Sequence, residues 1–220
     1  MKRTLVVLFA AGIMTAVLAT GCGSSMAGSA AMAMPAATSN GKAAALRAGL
    51  NTLFQEHVYL ASAATGAAIG GRDAEFKAAA AALDENSVAL AKAIGSVYGA
   101  DAEKAFLPLW RRHIGFVVDY TVAVATKDTA KQNMAVSDLV AYTDDFGAFL
   151  SAANPNLPKA VVADLVKHHV VMLKSVIDAQ AAGDAGKTYT AVRTAAGHMR
   201  MIADPLADAI VKQFPEKFTG

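Results

Sequence analysis

LFQEHVYLASAA (53–64), LWRRHIGFVVDY (109–120) and LVKHHVVMLKSV (165–176) are three versions of one stretch, each starting 56 residues after the last. His57, His113 and His169 therefore fall in strict register. A repeat of this length is the mark of one supersecondary unit copied in tandem. Within each copy, the residues at i, i+4, i+7 and i+11 form one apolar stripe: Leu53, His57, Leu60, Ala64; Leu109, His113, Phe116, Tyr120; Leu165, His169, Met172, Val176. That spacing predicts a helix, not a strand.

Each stripe ends at a short polar turn: Gly70-Gly71-Arg72-Asp73, Thr126-Lys127-Asp128 and Gly183-Asp184. Glycine stops helices and aspartate caps them, so each break reads as the turn of an αα-hairpin with Asp at the N-cap. The second helices run to about Val97, Ala153 and Phe214, with Gly99 and Asn154-Pro155-Asn156-Leu157-Pro158 separating the hairpins. Pro205 falls inside the last helix and is expected to kink it or end its first half. No segment alternates as a strand would. The expected fold is all-α: six helices as three tandem hairpins over residues 42–220, either a closed bundle or a short helical array.

Composition agrees. Of 220 residues 55% are hydrophobic but only 7% aromatic, which suits closely packed, alanine-rich helices. A net charge of +2 with no polybasic run inside the domain excludes a nucleic-acid footprint. No phosphate-binding glycine loop and no nucleophile–base pair is visible, so the expected protein is not an enzyme.

The first 21 residues read as a targeting segment, with Lys2 and Arg3 ahead of an apolar stretch from Leu5 to Leu18. The following Leu18-Ala19-Thr20-Gly21-Cys22 resembles the lipobox of bacterial lipoproteins. That resemblance implies cleavage before Cys22, lipidation of Cys22 and anchorage to a bacterial membrane, with the domain outside the cytoplasm. Cys22 is the single cysteine, so no intramolecular disulfide can form. Residues 22–41 are rich in Ser, Ala and Gly and read as a flexible tether.

The repeated histidines carry the functional question. A polar residue kept three times on an apolar face needs a partner if it is buried. Equal distances from each turn place His57 opposite Asn86, His113 opposite Tyr142 and His169 opposite His198, again one repeat position. One reading is structural: each His hydrogen-bonds its opposite number and sets hairpin register, in a non-catalytic structural or interaction module. The other is a metal site. His169 and Met172, with His198 and Met201, offer two imidazoles and two thioethers from facing helices, and His168 lies beside them. That donor set suits copper. Zinc would want a further His, Cys or carboxylate, and non-covalent haem could use the same residues. If the hairpins close about a three-fold axis, His57, His113 and His169 converge instead into a three-histidine site. Binding of no cofactor at all is also compatible with these residues. Glu-x-x-His is absent, which argues against a ferritin-like di-iron centre. No Cys-x-x-Cys-His is present to attach haem covalently.

The stretches LFQEHVYLASAATGAA, AIGSVYGADAEKAFLPLWRRHIGFVVDYT, DFGAFLSAANPNLP and HMRMIADPLADAIVKQFP resemble a group of secreted or lipid-anchored bacterial proteins. Some members of that group carry a copper-amine-oxidase label. The Asn-Tyr-Asp/Glu cofactor motif of copper amine oxidases does not occur here. What the resemblance implies is therefore copper, not amine oxidation.

Overall fold

The computed structural model describes residues 41–219. The signal-like segment, Cys22 and the tether lie outside the described residues. The described chain is all-α: α1 (Gly41–Ile69), α2 (Asp73–Tyr98), α3 (Ala100–Ala125), α4 (Thr129–Ala153), α5 (Lys159–Ala181), α6 (Ala185–His198) and α7 (Arg200–Gln213), with a closing 3₁₀ turn at Pro215–Lys217. None of these helices is long and apolar enough to cross a membrane.

The three hairpins are α1/α2, α3/α4 and α5/α6–α7. Each turn holds its repeat-equivalent residue in the left-handed region: Gly71 at φ 64°, Lys127 at φ 58° and Gly183 at φ 68°. The next residue's N–H reaches back to the same alanine of each repeat. Arg72 N donates to Ala67 O at 2.9 Å, Asp128 N to Ala123 O at 2.8 Å and Asp184 N to Ala179 O at 3.0 Å. These are Schellman closures, which satisfy carbonyls left over at the helix end. Asp128 and Asp184 cap α4 and α6 by accepting from Lys131 N and Lys187 N. The first copy differs from expectation by one residue. Arg72, not Asp73, occupies its N-cap and provides no side-chain cap, because Asp73 already lies inside α2.

The hairpins close into a bundle. Besides its hairpin partner, α1 packs on α6 and α7, while α2 packs on α3 and α4 on α5. That completes a ring of neighbours. Inside it, α1, α3 and α5 also touch one another. The first helix of every hairpin is thus an inner helix, and equivalent residues of the repeats meet at equal heights along the axis.

The sixth expected helix is broken in two, upstream of Pro205. Met199 N bonds the Ala196 carbonyl at 3.3 Å, a tightened i→i−3 contact, and α7 then continues through Pro205. Pro205 has no N–H for the Met201 carbonyl and its ring crowds that carbonyl. The chain yields in the turn before, where Met199 itself is fully buried.

Candidate functional site

The core has two apolar clusters. One contains Leu50, Phe54, Phe106, Trp110, Tyr142, Phe146, Val162 and Val166. The other contains Ala61, Val117, Tyr120, Leu173 and Val176. Along α3 and α5 the first cluster ends three residues before the repeat histidine, on α1 it reaches Val58 beside His57, and the second begins within four residues after the histidine. His57, His113 and His169 form a polar layer between the two.

All three imidazoles are out of solvent, at 1%, 3% and 3% exposure. The His57 ring centre lies 5.4 Å from that of His113 and 5.7 Å from that of His169. Trp110 sits one turn before His113 and meets both rings in T-shaped contacts, 4.5 Å from His113 and 5.0 Å from His57. Tyr142, on α4, stacks on His113 at 5.0 Å.

The opposite residues do not hydrogen-bond the histidines, which corrects the structural reading in one respect. Asn86 Nδ2 donates to the Leu53 carbonyl at 3.0 Å and to Glu56 Oε2 at 2.7 Å. His198 Nε2 lies 3.3 Å from the Leu165 carbonyl, which can only accept. Leu53 and Leu165 are the same repeat position, so the second helix ties itself to the first through backbone. The expected bond fails because Asn86 and His198 engage the first helix's backbone instead, while Tyr142 stacks its ring on His113 and leaves its hydroxyl unpaired. Both ring nitrogens of His57 and His169, Nδ1 of His113, the Tyr142 hydroxyl and Trp110 Nε1 are buried without a hydrogen-bond partner.

Such a layer cannot hold charge easily. Burial, then the neighbouring His113 and His169, push the His57 pKa well below its ordinary value. His113 is lowered to about 3, by burial and then by His169, with the Trp110 carbonyl acting in the opposite direction. His169 is lowered to about 4, by burial and then by His198. Burial lifts the Tyr142 phenol well above its usual range. Near neutral pH the layer is three neutral imidazoles, each with a free lone pair, beside a neutral phenol.

The four donors favoured from sequence do not share one environment. His169 faces the axis, Met172 is a partly buried residue packed on the apolar core, and Met201 is 57% exposed. The break at Met199 is the reason: His198 ends α6, Met199 takes the buried place, and the i, i+3 relation to Met201 no longer defines one face. His168 is exposed, with Nδ1 2.9 Å from the Asp164 carbonyl and its ring 6.2 Å from that of His198. The convergent arrangement of His57, His113 and His169 is the one the closed ring produces. Among the described residues no three His, Cys, Asp or Glu side chains stand ready-formed around an ion. The imidazoles have come together as rings, and their nitrogens would have to turn about χ2, a soft torsion for histidine.

Trp110 is a neighbour of the layer that the repeat also marks. Its signal was available: Phe54, Trp110 and Val166 all precede a repeat histidine by three residues and are all buried. No protein-family model, curated protein or solved structure matches this chain.

Proposed function

We propose that this is a lipid-anchored protein of the bacterial cell envelope that binds a metal ion, with copper favoured, through His57, His113 and His169 in its core. The observation that carries the reading is the spacing of the rings. Imidazoles bound to one ion at about 2.0–2.1 Å with tetrahedral to trigonal angles have ring centres about 5.3–5.5 Å apart. The separations of 5.4 and 5.7 Å lie at or just beyond that range. Supporting it, both nitrogens of His57 and His169 and Nδ1 of His113 are unpaired and the rings neutral, so binding there would neither break existing bonds nor first have to displace protons.

The second reading, a structural module, is favoured by the absence of a ready-formed donor set and by the close aromatic packing of the layer. The two separate on a simple comparison. The purified chain is titrated with copper and zinc beside single His57→Leu, His113→Leu and His169→Leu variants, with unfolding followed in parallel. One equivalent bound, and lost in each variant while the fold is kept, supports the metal site. No uptake, with unfolding of the variants, supports the structural module. Release of the protein from the membrane fraction by Cys22→Ala tests the anchor.

A further inference from the structure

The charge inventory of the core says what kind of ion the layer can accept. If the layer binds a metal as proposed above, its charge and its neighbours decide which one. The buried polar residues among those described are His57, Thr65, Asn86, Ser87, His113, Thr121, Thr143, Asn154, His169 and Thr188. None is a carboxylate or a thiol. A divalent ion in this layer would have no anion to balance it, and the energy of removing an ion from water grows as the square of its charge. A doubly charged ion thus carries four times the desolvation penalty of a singly charged one.

Neutral nitrogen donors in a dry apolar setting select against hard monovalent ions, which take oxygen ligands. What remains is a soft monovalent ion content with two or three ligands. We propose that the three-histidine layer is selective for such an ion, Cu(I) or its analogue Ag(I), over Zn(II), and that Trp110 covers the side the imidazoles leave open.

The placement of Trp110 follows from distances alone. An ion bound between His57 and His113 lies about 3.2 Å from each ring centre. With Trp110 at 5.0 and 4.5 Å from those same rings, any such position falls within about 6 Å of the indole centre. Over the indole face that is the range in which an aromatic ring attracts a desolvated cation, and tryptophan is the strongest of the aromatics in this role. Trp110 is 5% exposed and is the only tryptophan in the chain, so its fluorescence reports on this layer and nothing else.

The test is an anaerobic titration of the full-length chain with Cu(I), Ag(I) and Zn(II). Tryptophan emission is read alongside competition against a chromophoric Cu(I) chelator. The expected result is a change in emission that breaks at one equivalent for Cu(I) and Ag(I), with no response to a tenfold excess of Zn(II). Trp110→Phe should still bind one Cu(I) in the chelator competition, but several-fold to tenfold more weakly. Cu(I) uptake with unchanged emission overturns the role of Trp110. Zn(II) uptake of equal affinity overturns the charge argument, and both leave the metal-binding reading in place. No uptake of any of the three ions overturns the inference and the metal-binding reading together.

Discussion

Lowering the pH from 7.5 to 5 in the absence of metal should remove most of the stability of this protein. The cause is the layer formed by His57, His113 and His169. In the unfolded chain each has an ordinary pKa of about 6.5. In the folded chain His113 is lowered to about 3, His169 to about 4, and His57 well below its ordinary value. The unfolded state therefore binds more protons over this window, and stability falls as pH falls. The stabilisation is complete above pH 6.5, declines below it, and stops declining once pH passes the folded values. At pH 5 His113 and His169 each contribute a loss of about 2 kcal/mol, and His57 adds to it in the same direction. A domain of this kind has about 5–15 kcal/mol in total. The carboxylates held low by capping and pairing, Asp128, Asp184 and Glu75, lose their contribution only below their own ordinary values near 4, so the windows separate. Urea unfolding followed by circular dichroism at pH 7.5, 6 and 5 measures the effect directly. His113→Leu should shrink the loss by about 2 kcal/mol. A loss under about 2 kcal/mol at pH 5, or buried imidazole resonances titrating near 6.5 in the folded chain, would refute the reasoning.

Other expectations concern single sites. His57→Leu removes two unpaired nitrogens at nearly constant volume. It should stabilise the metal-free protein by about 1 kcal/mol in urea unfolding, the relief of two orphaned polar atoms outweighing the lost edge contact with Trp110. A loss of several kcal/mol there would favour the structural role. Lys127→Gly relieves the single non-glycine residue with positive φ among those described, and should raise unfolding free energy by about 0.5–1 kcal/mol. Gly147→Ala should destabilise by about 1–3 kcal/mol. A Cβ there would stand 2.7 Å from the Lys159 carbonyl, a backbone atom of α5 that cannot give way without moving the helix.

Much of this architecture was readable along the chain. The apolar stripes, the three turns and the helix ends at Tyr98 and Ala153 follow from local rules, because caps, left-handed turn residues and the i, i+4 pattern act over one or two turns. The period of 56 residues also meant that whatever one histidine does, the other two do at the same height. Local rules misplaced the break in the last helix. Pro205 marks which carbonyl loses its donor, but neighbouring packing decides where the backbone gives way, and here Met199 had a buried place to occupy.

The site was another matter. Hairpin geometry alone pairs His57 with Asn86, His113 with Tyr142 and His169 with His198, since antiparallel neighbours in one hairpin are the only contacts a sequence can count. Whether three hairpins stack in a row or close into a ring depends on α1 meeting α6 and α7, a contact between residues at opposite ends of the domain. Nothing local encodes that closure. It follows from the summed burial of three inner faces, and it turns the histidines from three separate hairpin partners into one shared layer. The sequence by itself determined the helices, the hairpins and the repetition of the imidazole. The tertiary structure brings the three rings together, sets Trp110 against His57 and His113, and leaves five of their six nitrogens buried without partners, because those placements depend on contacts between distant parts of the chain.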